Sequence, residues 1–230
     1  MSESRPPAVW FTDEPVRKPR LSRERIVRAA VSLLDAEGVE GLSMRRLAAR
    51  LDAGTMSLYE YVGSKEDVLD LAVDAVIGEI EPDGLDDVPW REALTRQLVR
   101  SRRVMRRHPW LPALMATRLL LGPQALARSE LFSSLLDRAG LEGPRLTAAV
   151  GALTYYVQGY TATENIWHTA RRDPAAQAEL RGEAQRYLDG KAALYPTLAR
   201  HADLGDDDFD ASFQLGLETI LDGIEARIGT

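Results

Sequence analysis

No cysteine occurs in the 230 residues, which excludes disulfide scaffolds, thiolate chemistry, zinc knuckles and iron–sulfur clusters. No apolar run approaches the ~18 residues that a membrane helix needs, so no membrane partner is expected. Residues Met1 to Val16 lack the apolar stretch of a signal peptide, and a cytoplasmic location is the expectation. Histidine is scarce, and His108, His168 and His201 stand in unrelated contexts. There is no nucleophile with an adjacent base, no paired carboxylate site and no glycine-rich phosphate loop, so the chain is not expected to be an enzyme. No segment alternates with the two-residue period of a strand, and no internal repeat is visible. What remains is an ordinary mixture, 45% hydrophobic and 28% charged, of a length that suits one or two domains with a real core. The expected fold class is all-α.

The net charge of −6 speaks at first against a nucleic-acid partner, but the charge is unevenly placed. From Arg17 to Arg50 nine basic residues face four acids, a local balance of +5 that leaves −11 for the rest of the chain. A compact basic segment on an acidic body can hold a phosphate backbone while the remaining surface repels it. Taken alone, such a cluster is equally well read as a solvated helix face.

Residues 1–21 hold four prolines and no helical period, which suggests a flexible arm with a basic end. From Ser22 a stripe of Ile26, Val27, Ala30, Val31 and Leu34 predicts a helix that Gly38 ends. Ser43 reads as the N-cap of a short helix carrying Met44, Leu47, Ala48 and Leu51. Asp52, Ala53 and Gly54 form a tight break, and Thr55 to Tyr61 is a short element whose Leu58 packs inward. Ser64 followed by Asp67 reads as a capping box opening a further helix with Val68, Leu71, Ala72, Ala75, Val76 and Ile80 on one face. Pro82 and Pro89 bracket an acidic break. Beyond it, helices are predicted from Pro89 to about Arg107, from Pro123 to near Gly140, from Pro144 to about Arg172 and from Asp208 onward. Residues 109–121 form a short apolar element, and 174–204 are less regular.

Two short helices joined by a Gly-containing turn, among basic residues, fit a helix-turn-helix DNA reader. The residues Ile26-Val27-Arg28-Ala29-Ala30, Glu37-Gly38, Gly41 to Ala48 and Ser57 to Leu69 resemble, without a gap, the N-terminal domain of TetR-family transcriptional repressors. The resemblance implies a DNA-binding domain at 22–68 and a helical effector-binding and dimerisation domain at 69–230. The N-terminus of the recognition helix, Thr55, Met56 and Ser57, would meet base edges, and the planar fork of Arg45 suits guanine. In the family, positions matching Arg45, Thr55 and Ser57 commonly touch bases, and those matching Tyr59, Tyr61 and Lys65 touch phosphates. Lys65 also lies in a helix first turn, where free amides attract phosphate. Ser43 is a cap that can also reach a phosphate. Arg17, Lys18 and Arg20 suit a minor-groove arm; an unstructured tail that only raises local charge explains them as well.

The C-terminal part resembles the tetracycline-repressor-like subgroup. The helices from Pro144 and Asp208, with Gly151, Gly159, Gly216 and Gly223, are candidates for a four-helix homodimer interface that sets two recognition helices on a palindromic double-stranded operator. Trp110, Met115, Tyr156, Tyr160, Glu164, Asn165, Trp167 and His168 are candidates to hold a small-molecule effector. Histidines engage a drug–metal complex in the tetracycline repressor, but Glu81 and Met115 fall near those positions here. An uncharged or aromatic effector, such as a hydrophobic natural product, is therefore expected. Glu164 and His168, four apart, make an incomplete metal site, and neither metal nor cofactor is assigned. The competing reading is an all-α small-molecule binding protein that does not bind DNA specifically.

Overall fold

The computed structural model describes residues 21–82, 87–169, 174–204 and 208–228. Among them are eleven helices and no strand. The expected all-α class holds, and the local chemistry that starts and stops the N-terminal helices can be seen atom by atom.

Helix α1 (Arg23–Gly41) opens on Ser22, whose hydroxyl accepts from the Arg25 amide at 3.2 Å. Its helical geometry breaks at Gly38, where φ is +69°; a side chain there would meet the left-handed penalty that glycine avoids. A last turn then carries the chain to Gly41. Helix α2 (Met44–Arg50) is capped by Ser43, which accepts from the Arg46 amide at 3.3 Å. The turn into α3 (Thr55–Tyr59) passes through Asp52 at φ +52°, a conformation its short polar side chain tolerates. Helix α4 (Lys65–Ile77) starts with the expected capping box. The Asp67 amide donates to the Ser64 hydroxyl at 3.1 Å, the hydroxyl donates back to the Asp67 carboxylate at 2.7 Å, and the Gly63 amide joins it at 2.9 Å. Ile26, Ala30 and Leu34 of α1 close over Val68, Ala72 and Val76 of α4, with Leu47 and Leu58 filling the space beside them.

That box makes a measurable prediction. The Ser64 hydroxyl, followed by the Gly63 amide, holds the Asp67 carboxyl below its ordinary value of 3.8. A carboxyl depressed by folding contributes stability above its unfolded pKa and loses it as the pH falls through the lower folded value. Ser64→Ala should raise the Asp67 pKa toward 3.8 and destabilise the chain by about 1 kcal/mol. An Asp67 carbon resonance whose titration is unchanged in the variant would contradict the assignment.

The C-terminal helices are α5 (Trp90–Arg107), α6 (Leu111–Met115), α7 (Pro123–Arg138), α8 (Gly143–Thr169), α9 (Pro174–Asp189), α10 (Pro196–His201) and α11 (Phe209–Glu225). Helix α8 is the spine: α5, α6, α7 and α11 all pack on it. Helices α9 and α10 correct the expectation of irregularity over 174–204. They keep Leu180, Tyr187 and Leu198 exposed, so no buried stripe announces them. Alanine, glutamate, arginine and leucine supply α9 with propensity instead. Helix α4 touches both halves, packing on α1 on one side and on α6 and α7 on the other. Its Asp74 carboxylate accepts from the Gln124 and Ala125 amides at 3.1 and 3.0 Å, capping α7 from outside, where the helix dipole favours an anion. A side chain at Gly122 would collide with that carboxylate. No helix among the described residues is long and apolar enough to cross a membrane.

Candidate functional site

The candidate DNA-contacting residues lie on or beside α2, α3 and the first turn of α4, with α2 packed on both α1 and α3. Arg45 is exposed on the first turn of α2, Met56 on α3 is 78% exposed, and Thr55 and Ser57 are half-buried beside it. Tyr59 is 44% exposed, while Tyr61 is half-buried and packs on the core. Only one of the two tyrosines is thus exposed. Ser43 is committed to its cap. The cations divide into two groups. Arg46 is ion-paired with Glu37, Arg50 donates to the Ser32 hydroxyl at 2.6 Å, and Arg23 donates to the Tyr61 carbonyl at 3.3 Å. Arg45 and Lys65 take no carboxylate among the described residues, which leaves their charge available to a ligand. Arg17, Lys18 and Arg20 lie outside the described residues.

A second feature lies in the C-terminal half. A cavity of about 60 Å³ is lined by α4, α5, α7 and α8, with Ile77, Leu98, Phe132 and Val157 in its walls. Met115 of α6 and Leu120 of the following loop close it. Leu120 and Thr154 also border a cleft of about 640 Å³ between α6 and α8.

Of the residues expected to hold an effector, only Met115 lines this cavity, and the structure accounts for the others differently. Trp110 is buried and donates its indole N–H to Asp35 of α1 at 2.7 Å, its ring edge-on to His108. Tyr156 and Tyr160 donate their hydroxyls to the Phe213 and Phe209 carbonyls, each at 2.8 Å, tying α8 to α11. Glu164 is fully buried and accepts from Arg102 at 2.8 and 2.9 Å. Asn165 donates to the Met105 carbonyl at 3.0 Å, and the Trp167 ring lies under the Arg181 guanidinium at 5.3 Å. The backbone of His168 is helical, and its side chain is outside the described set. Helical spacing placed these residues on α8 and its neighbours, but it carries no information on which neighbour each one meets. Gly216 likewise serves packing within the chain, since a side chain there would strike Tyr156.

The model of bacterial regulatory proteins of the tetR family matches residues 26–72, and that of the tetracyclin repressor-like C-terminal domain matches residues 82–228. The chain belongs to the TetR family. It is 41% identical to an HTH-type transcriptional regulator of Saccharopolyspora erythraea, over 99% of this chain and 95% of that protein. It is 40% identical to the HTH-type transcriptional repressor DrrR1 of Streptomyces coeruleorubidus, over 92% and 80%. Among solved structures, the Streptomyces coelicolor TetR family protein ActR in complex with actinorhodin superposes with a TM-score of 0.80 at 31% identity, covering 92% of this chain and all of that one. A TetR-family chain is a transcriptional regulator with a helix-turn-helix domain, and the reading without DNA binding is not favoured.

The residues that sequence reasoning missed are those whose partners are remote in the chain. Arg128 lines the cavity, and Asp35 on α1 holds both Trp110 and His108. Neither lies in a motif, and no local signal marks them.

Proposed function

We propose that this regulator is a homodimeric cytoplasmic repressor that leaves a palindromic operator when a hydrophobic or aromatic small molecule occupies the cavity between α4, α5, α7 and α8. The observation that carries the DNA-binding part is the surface on which Arg45 and Lys65 stand without carboxylate partners while Arg46 is neutralised by Glu37. Arg45, Thr55, Met56 and Ser57 then read base edges. Ser43, Tyr59, Tyr61 and Lys65 contact the backbone, and the arm with Arg17, Lys18 and Arg20 enters the adjacent groove. The domain ranges 22–68 and 69–230 are part of the same reading.

Two half-sites about one helical turn apart (~34 Å) require two copies of the chain. The exposed Tyr155 and Ile166 of α8 and Leu215 of α11, with open space at Gly159 and Gly223, support α8 and α11 as the dimer face.

A cavity of about 60 Å³ is far below the roughly 300–1,000 Å³ of a pocket for a drug-sized ligand. An effector must therefore push its walls apart. One of those walls is the C-terminal end of α4, through Ile77, and the other end of the same helix presents Lys65 to the operator. Thirteen residues at 1.5 Å each make a rigid lever of about 20 Å. Complete release, from 1:99 to 99:1, needs roughly 10⁴-fold preference of the effector for the expanded form. The relatives named for repression and the actinorhodin-bound structure support this reading.

Retardation of DNA from upstream of the regulator's own gene tests it, and no retardation at low salt with any palindromic site would overturn it. Arg45→Ala should weaken specific binding by about 1–3 kcal/mol and relax one operator position. Lys65→Ala should weaken all sequences alike and flatten the salt dependence. Identical behaviour of the two variants would refute the division into base and phosphate contacts.

A further inference from the structure

Three arginines that lie partly buried against the C-terminal helices are neutralised by carboxylates. Arg102 has Glu164 and Asp210, at 2.8 and 2.7 Å. Arg118 has Glu66 and Asp70, and Arg91 has Asp222 and Glu225 at 2.5 and 2.7 Å. Arg128 is different. It sits in the cavity wall, and no carboxylate among the described residues lies within ion-pair distance of it. Its guanidinium donates to the Gln97 side-chain oxygen and to the Gln97 carbonyl, each at 3.0 Å, and to the Ser101 hydroxyl. All three acceptors are neutral. One face of the guanidinium lies over the Phe132 ring at 4.7 Å. Gln97 is itself fully buried and held by its own bond to the Glu81 carbonyl at 3.1 Å, so the cation is fixed in place.

A guanidinium offers five N–H donors, and these bonds leave part of that set unused. Burial without an anion pushes the group down to about 10, whereas the carboxylates of Arg102 and Arg118 more than offset burial and raise theirs. Arg128 therefore remains charged at neutral pH, in the wall of a mostly apolar cavity, with no counter-charge among the described residues. Holding a half-buried cation among neutral groups is costly, and an oxyanion entering beside it recovers that cost with charge-assisted hydrogen bonds.

We propose that the effector is a hydrophobic anion, an aromatic ring system bearing one carboxylate or ionised phenol, and that Arg128 binds the anionic group while Ile77, Leu98 and Val157 receive the rings. This rests on the cavity being the effector site, and it narrows the expectation of an uncharged or aromatic effector to an aromatic one that carries a negative charge.

The test uses the full chain and matched probes: naphthalene-2-, anthracene-2- and anthraquinone-2-carboxylic acid, each beside its primary amide, titrated by calorimetry near neutral pH. At least one acid should bind at least about tenfold more tightly than its amide. Arg128→Gln should abolish that preference, and Arg128→Lys should keep part of it. Thermal melts of the variants establish that they are folded. Thr154→Phe, which fills the cavity from α8, should abolish binding of acid and amide alike. Equal binding of acid and amide, lost in Thr154→Phe, overturns the charge assignment and leaves the cavity standing. A preference that persists in folded Arg128→Gln overturns it too. Binding that survives Thr154→Phe, or no binding by any probe, overturns the cavity reading and this inference with it.

Discussion

Glu164→Ala is expected to lower the stability of the folded chain by about 3–5 kcal/mol, the range found when one partner of a buried ion pair is removed. Glu164 is completely buried, its carboxylate accepts both Nε and Nη2 of Arg102, at 2.8 and 2.9 Å, and it forms an ion pair with Arg106, whose Nε lies 3.2 Å away. The Arg102 guanidinium is clamped over the Phe213 ring at 4.8 Å and beside Tyr160 at 5.6 Å. Burial depresses Arg102, but hydrogen bonds to Glu164 and Asp210 outweigh it and its pKa lies above the ordinary value. Without Glu164 the cation keeps Asp210, which is largely solvent-exposed and so a weak substitute in a higher dielectric. The loss should be visible as a shift of about 6–20 °C in Tm, given ~2–4 °C per kcal/mol for a chain of this size. Glu164→Gln, which keeps the shape but removes the charge, should fall between. The double variant Arg102→Met/Glu164→Met should recover most of the stability, because no unpaired charge is left inside. Urea unfolding measures all three. A loss below about 1 kcal/mol in Glu164→Ala would show that the pair is not structural and would return Glu164 to the list of ligand contacts.

The same residue shows where sequence reasoning stops. Helix starts and stops in the first 70 residues were legible because the chemistry is local: Ser22, Ser43 and Ser64 each accept an amide three residues ahead, and Gly38 takes a left-handed φ. The positions proposed to contact DNA lie on that same local framework. Glu164 meets a residue 62 positions away, and nothing in the spacing along α8 names that partner. Tyr156 and Tyr160 follow the same logic, since their ends were fixed by α11 carbonyls. A helix packed on four others has apolar residues on most of its circumference, so periodicity cannot separate a face toward a cavity from a face toward a neighbour. Helices α9 and α10 were missed for the opposite reason, because their apolar residues stay at the surface. Arg128 looked like any other surface arginine of a helix until its lack of a carboxylate could be seen.

Asp35→Ala is expected to loosen the join between the two halves of the chain. One carboxylate oxygen of Asp35 on α1 accepts the Trp110 indole N–H and meets Nδ1 of His108, both at 2.7 Å. The other ring nitrogen of His108 meets Glu79, just beyond α4, at 3.2 Å, and Arg107 donates to the same Glu79 oxygen at 2.8 Å. These contacts bind α1, the end of α4 and the α5–α6 corner into one cluster, at the point where the proposed motion of α4 would pass to the N-terminal helices. Alanine at 35 leaves Trp110 and His108, both buried, with unpaired groups that cost about 1–3 kcal/mol each. Asparagine retains one acceptor and should recover part of the loss. Because the cost falls on a junction and not on either core, it should appear as local opening. Hydrogen exchange in α1, α2 and α3 should quicken while α8 and α11 keep their protection, and thermal unfolding should broaden as the halves lose cooperativity. Coupling between two ligand sites is carried by elements whose arrangement both sites bias, so the same variant should leave operator affinity closer to its effector-free value when the cavity is filled. Uniform acceleration of exchange along the whole chain would mean that Asp35 supports global stability only, and that the coupling between cavity and operator runs through α4 alone.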